Sequence, residues 1–156
     1  MQGSATSSKA PRHERNRERP LTRRYWQRMG GTLLEEYLVV RPRPGVSPRW
    51  VDGIIILGGD HRIASHAEHA HVSLDGHDLI AVQTKTGRLG MYLLGQALFS
   101  RELIRECSRP RSVRTVALCG RDDHVLHPTA EYFGIEVVVD DLAARSRTGR
   151  RSVPQI

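Results

Sequence analysis

The chain has 156 residues and a formal net charge of +7, and 38% of its residues are hydrophobic. This length suits a single domain with its own core. No run approaches the roughly 20 apolar residues that a membrane span needs, and the N-terminus lacks the apolar segment of a secretory signal. The cysteines, Cys107 and Cys119, are typical of packed thiols in a reducing compartment. We therefore expect a cytoplasmic protein without a membrane-spanning segment.

Both ends of the chain differ in composition from the middle. Residues 1–20 are rich in Ser and Arg and contain few apolar side chains, and residues 143–156 are similar. Neither end can bury enough apolar surface to offset its ordering entropy. The sequence predicts a disordered basic arm over 1–20, one folded domain over 21–142 and a disordered basic tail over 143–156. Basic arms attract polyanions, although an arginine-rich composition can also serve solubility alone.

The first half of the domain predicts one short helix and then three strands. Residues 21–29 can form a helix that stops at a pair of glycines, and residues 32–41 alternate apolar side chains as a strand does. Residues 49–57 contain a continuous isoleucine run, which indicates a strand buried on both faces. The His-rich stretch 60–77 suits a surface loop or a hairpin extension, and residues 78–85 form the third strand.

The second half of the domain alternates helices and strands. Residues 91–107 carry apolar side chains at helical spacing, so we expect this helix to pack across the sheet. A strand over 113–119, a short helix starting at Pro128 and a strand over 135–139 follow. This order favours parallel crossovers, whereas the first strands suit a meander. The sequence thus predicts an α/β fold with a mixed central sheet and helices on its faces.

Three side chains on two neighbouring strands carry the strongest functional signal. Asp52 precedes the isoleucine run, and Gln83 and Lys85 are two residues apart on the next strand. Side chains at this spacing share one face of a strand, so Gln83 and Lys85 are expected to point the same way and to meet Asp52. Carboxylate and amide oxygens are ligands for a hard divalent cation. A lysine beside them can stabilise charge that develops on a phosphate.

A strand with Asp52, a strand with Gln83 and Lys85, and then a helix and a strand resemble the PD-(D/E)XK nuclease superfamily, which has the restriction-endonuclease-like fold. The resemblance covers residues 31–139. It implies a Mg²⁺-dependent endonuclease or nickase that hydrolyses phosphodiester bonds in DNA, with Mn²⁺ as a substitute metal. Asp52, Gln83 and the carbonyl of Thr84 would hold the metal, and Lys85 would orient the attacking water.

Gln83 departs from the superfamily pattern, in which Glu is usual and Gln occurs in Mrr-type members. The amide removes a negative charge, so another carboxylate would have to compensate. Glu35 and Glu36 on the first strand are the candidates; since adjacent residues of a strand face opposite ways, at most one joins the site, and Glu36 is preferred. The departure leaves a second hypothesis, a catalytically degenerate module of the same fold that binds nucleic acid or scaffolds a larger complex.

Basic and polar side chains near these strands are candidates for contact with the nucleic acid: Arg23, Arg24, Arg88 and Gln96. Because a domain of this size covers little nucleic acid alone, we expect a homodimer or a component of a larger complex, with DNA preferred over RNA as the partner.

Other clusters have structural alternatives. His66, His69 and His71 could hold zinc, but no cysteine ligand and no known repeated spacing supports this. Residues 122–127, which contain two Asp and two His, suit a solvated loop. The chain contains no phosphate-binding loop, dinucleotide fingerprint or nucleophile elbow, which argues against those enzyme classes.

Overall fold

The computed structural model describes residues 11–142. In this part of the chain the helices are α1 (Arg12–Met29), α2 (Met91–Cys107) and α3 (Leu126–Tyr132), and a 3₁₀ helix spans His66–His71. The strands are β1 (Thr32–Val40), β2 (Arg49–Ile56), β3 (Arg62–Ile63), β4 (Asp78–Arg88), β5 (Ser112–Arg121) and β6 (Ile135–Val139). None of the helices described here is long and apolar enough to cross a bilayer.

The strands form one mixed sheet in the order β3-β1-β2-β4-β5-β6. β1, β2 and β4 are antiparallel neighbours, and β4, β5 and β6 run parallel. The chain passes through α2 between β4 and β5 and through α3 between β5 and β6, as parallel crossovers require. The predicted mixed sheet, with a meander first and parallel crossovers after it, is confirmed.

Helices cover both faces of the sheet. α1 packs on one face, where Leu21 and Tyr25 meet a core that includes Leu33. On the opposite face, Ile104 of α2 packs in a core that includes Leu34. Leu33 and Leu34 are adjacent in β1 and both fully buried, because successive side chains of a strand point to opposite faces. The isoleucine run of β2 is divided between the same two cores, so its predicted burial on both faces is confirmed.

α1 begins at Arg12 and not near Leu21, so the predicted disordered arm is wrong for residues 12–20. Composition misled here because this half of the helix is anchored by charge and not by apolar area. Glu18 is only 5% exposed and forms an ion pair with Lys85 of β4. The helix stops at Gly30 as expected. Residues 1–10 and the predicted tail 143–156 lie outside the described residues.

Three smaller elements also differ from the expectations. The His-rich stretch forms β3, which pairs parallel with β1, and a 3₁₀ helix, so a hairpin extension is wrong. β4 continues to Arg88 and not only to Lys85, with a shift in register after Lys85. α3 starts at Leu126, before Pro128. Backbone pairing with a neighbouring strand extends β4 and creates β3, and local sequence does not show such pairing.

Candidate functional site

Side chains replace the backbone ladder at one end of the β2–β4 pair. The regular pairing ends at Gly53 of β2. Beyond it, the Thr84 N–H donates to Asp52 Oδ2 at 2.8 Å, and Gln83 Nε2 donates to the Trp50 carbonyl at 3.2 Å. Asp52 and Gln83 therefore each join the two strands where the ladder stops, in addition to any role in chemistry.

The functional groups of Gln83 and Lys85 end at different helices. Gln83 is buried and also donates to Ser100 Oγ of α2 at 2.7 Å. The Lys85 Nζ lies 3.2 Å from Glu18 Oε1 and 3.6 Å from Glu14 Oε2, both on α1. Since α1 and α2 cover opposite faces, the two functional groups, contrary to expectation, do not point the same way and do not meet. β4 pairs regularly with β5 through Lys85, so it is the long Lys85 side chain that carries its ammonium to α1.

Asp52 lies near Lys85, and its pKa is strongly shifted. Burial raises the pKa of Asp52 from its ordinary 3.8 to about 7; the hydrogen bond from the Thr84 N–H and the charge of Lys85 lower it, and the carboxylates of Glu18 and Glu36 raise it further. At neutral pH this carboxyl is therefore divided between its protonated and charged forms. A perturbed acid beside a lysine marks a candidate functional site.

Glu35 and Glu36 both face α1, so the expectation that at most one of them joins the site is wrong. Glu35 receives two hydrogen bonds from Arg23, at 2.6 and 2.9 Å. Glu36 lies 3.4 Å from Arg15 Nε and 3.6 Å from Arg19 Nη2. The cause is local: Glu36 has a φ of 48°, in the left-handed region, and this breaks the alternation of β1.

These groups surround a pocket of about 20 Å³ between α1 and the sheet. Its volume holds about one water-sized particle. Within residues 11–142, no group of three or more His, Cys, Asp or Glu side chains is arranged to hold a metal ion. The carboxylates lie against arginine and lysine partners instead of converging on one point. The pocket is lined by Arg15, Glu18, Arg19, Thr22, Glu35, Glu36 and Asp52.

Sequence reasoning missed Glu18 and Thr22, which α1 brings over the end of β4. Thr22 Oγ1 lies 2.8 Å from Thr84 Oγ1. α1 can come this close because Gly53 has no side chain; a Cβ there would lie 3.0 Å from Thr22 Cγ2. The available signal was the spacing of Glu14, Glu18 and Thr22, which places them on one face of a helix.

Three of the four residues predicted to contact nucleic acid already have hydrogen-bond or ion-pair partners within the protein. Arg23 holds Glu35, Arg24 Nε lies 2.9 Å from Asp140 Oδ2, and Arg88 Nη1 donates to the Asp122 carbonyl at 2.8 Å. Gln96 is on α2, away from the pocket of Asp52, and lines a second and larger pocket with Gln83. Arg23 thus contacts the pocket of Asp52 through Glu35, whereas Arg24, Arg88 and Gln96 are not gathered there.

The histidine-rich segments have packing roles in the described part of the chain. The rings of His66 and His69 are 5.0 Å apart, and His69 lies 5.7 Å from the Tyr37 ring. His127 Nδ1 lies 2.8 Å from Asp122 Oδ2, and this contact raises the pKa of His127. His127 therefore ties the start of α3 to the end of β5.

No protein-family model matches this sequence, and no curated protein or solved structure matches it.

Proposed function

We propose that this chain is a metal-dependent nuclease of the restriction-endonuclease-like fold, which hydrolyses phosphodiester bonds in DNA. One observation carries the proposal: the perturbed acid Asp52 lies beside Lys85 at the end of the β2–β4 pair, under a helix that adds Glu18. The chain order of a helix, an antiparallel meander, a helix and a parallel strand supports the same fold.

The pocket offers carboxylate oxygens to a divalent cation, which would have to draw Glu18 from Lys85 and Glu36 from the arginines of α1. The carboxylates of Glu18 and Glu36 both raise the pKa of Asp52. Mg²⁺ prefers such oxygen ligands, and its charge would favour the ionised acids. Asp52 and Glu18 would hold the ion, with Glu36 as the further carboxylate and Gln83 excluded by its position. Once bound, the ion would neutralise the scissile phosphate and lower the pKa of a coordinated water.

Lys85 supplies a fixed positive charge. Burial alone lowers the pKa of Lys85, but Glu18, Glu14 and Asp52 together outweigh burial and raise it. Its Nζ therefore stays protonated at neutral pH, so it acts as a cation toward the phosphate and not as a base. Glu18 holds this ammonium in place and is a positioning residue in addition to a candidate ligand.

A cleavage assay with Mg²⁺ or Mn²⁺ on single- and double-stranded DNA tests the proposal. Asp52→Asn keeps an acceptor for the Thr84 N–H and removes the charge, so we expect cleavage to fall by about 10²-fold or more with binding retained. Asp60→Asn is the matched control, because Asp60 is exposed and contacts Thr32 and Arg62 through its backbone carbonyl. Equal cleavage by the wild type and Asp52→Asn would refute the assignment.

The position of Gln83 favours a second candidate, a degenerate module that binds nucleic acid or scaffolds a complex. Its amide is committed to Ser100 and Trp50 on the far face, so the usual second metal ligand is missing. This module predicts no cleavage of any DNA or RNA by the wild type, and unchanged binding by Asp52→Asn and Lys85→Ala. Either function suits a homodimer or larger assembly, since one copy covers little nucleic acid.

A further inference from the structure

α2 exposes large apolar side chains beside a deep groove. Met91, Tyr92 and Phe99 are 77%, 70% and 65% exposed. The groove has a volume of about 500 Å³ and lies between these residues, the start of β2 and the end of β4. It is on the face of the sheet opposite the pocket of Asp52, as the hydrogen bond from Gln83 to Ser100 of α2 shows.

The lining of this groove combines aromatic rings with amide groups. Trp50, Tyr92 and Phe99 supply the rings, and Gln83 and Gln96 supply amides. Gln83 is only 2% exposed and its Nε2 already donates to Trp50 and Ser100, so it forms part of the floor, and Gln96 is the amide that can reach a ligand. Rings and amides in one groove fit a planar group that stacks and also forms hydrogen bonds. A nucleobase has this chemistry.

The charge around the groove is positive. Arg49 is the charged residue of the lining, which contains no acid. The hairpin loop that leads into β2 also carries Arg41 and Arg43, both exposed, and no acidic residue lies between Arg41 and Arg49. A second copy of the chain docked by a twofold contact would bring the same arginines together. The charge therefore favours a polyanion over self-association.

We propose that the groove between α2 and β2 binds unpaired bases of single-stranded nucleic acid. The inference rests on the proposed action on nucleic acid and adds the form of the substrate. In a duplex the faces of the bases are stacked on one another. Only an unpaired strand can therefore stack its bases on the aromatic rings of this groove. Each of the two strands carries one groove residue close to one residue of the acidic site: Trp50 and Asp52 in β2, and Gln83 and Lys85 in β4. The bound strand therefore lies across the end of the sheet that carries the acidic pocket.

Fluorescence anisotropy on the full chain in EDTA separates this inference from catalysis. The probes are a labelled oligothymidylate, an abasic oligomer of the same length and a duplex of the same length. We expect the oligothymidylate to bind more tightly than both, and Tyr92→Ala and Phe99→Ala each to weaken it by about tenfold without changing the abasic oligomer. Tyr92→Phe keeps the ring and is expected to bind like the wild type.

Tyr132→Ala is the matched control, since Tyr132 is 85% exposed on α3 and outside the groove. It is expected to leave the affinity unchanged. Three results would overturn the inference. They are an affinity for the duplex equal to or above that for the single strand, no binding of the single strand, and an effect of Tyr132→Ala equal to that of Tyr92→Ala. So would a change of sedimenting mass with Tyr92→Ala, which would make the groove a contact between copies. Cleavage of duplex alone would overturn it and leave the nuclease proposal standing.

Discussion

The two faces of the sheet differ most where β2 and β4 lose their backbone pairing. On the α1 face, acids and bases enclose a pocket of about 20 Å³. On the α2 face, rings and amides line a groove of about 500 Å³. Away from this end the faces are alike, since each contains an apolar core. The same two strands thus build both a uniform core and two chemically distinct sites.

The difference shows what a break in strand alternation can do. The left-handed φ of Glu36 sends its carboxylate to the α1 face, where the Lys85 ammonium also ends. Gln83 remains on the α2 face. Four measurements test how far this separation of the faces holds.

The largest effect is expected in the two cores. Leu33→Ala and Leu34→Ala remove adjacent, fully buried side chains from opposite faces. Each is expected to lower the free energy of unfolding by about 3 to 4 kcal/mol, because each leaves a cavity in a close-packed core. Urea unfolding measures both. A loss below about 1 kcal/mol at either position would show that this face is not a true core.

The second effect depends on pH and is confined to the α1 face. The folded pKa of Asp52 is about 7, above its ordinary 3.8, so the folded state keeps a proton that the unfolded chain loses. This contribution to stability is complete below about pH 4 and is lost as pH rises through 7. Between pH 5 and 8 the wild type should lose about 2 kcal/mol that Asp52→Asn does not lose. Parallel pH curves for the two proteins would contradict the raised pKa.

The third effect compares two arginines of equal exposure. The side chains of Arg23 and Arg114 are both 46% exposed, but their partners Glu35 and Glu136 are 9% and 45% exposed. Arg23→Met leaves a buried carboxylate without its guanidinium and should cost about 1 to 2 kcal/mol of unfolding free energy. Arg114→Met should cost less than about 0.5 kcal/mol. Equal losses would show that the burial of Glu35 does not matter.

The smallest effect concerns the two halves of α1, on either side of Pro20. Residues 12–19 are held by ion pairs such as Arg15–Glu36 and Glu18–Lys85, whereas Leu21 and Tyr25 are held by the core. About 0.5 M salt should weaken the first half by under 1 kcal/mol and leave the second half unchanged. Amide hydrogen exchange resolves the halves. Equal loss of protection in both would contradict an electrostatic anchor.

Most of the architecture could be predicted from the sequence. The periodicity of residues 91–107 and the apolar runs of β2 and β6 marked their elements correctly, because burial on one or two faces leaves a direct pattern in the chain. The site was only partly predictable. Asp52 and Lys85 do lie together, but Gln83 does not join them, and Glu18 was missed because its helix was assigned to a disordered arm.

The amino-acid pattern by itself determined the mixed sheet, the order of its elements and the two cores, since apolar periodicity records which side of a helix or strand is buried. Only the tertiary structure decided which polar groups meet. A positive φ at Glu36 depends on neighbouring strands, and the burial of Glu18 depends on a helix held by distant charges. Such contacts join residues far apart in the chain, so no local pattern records them.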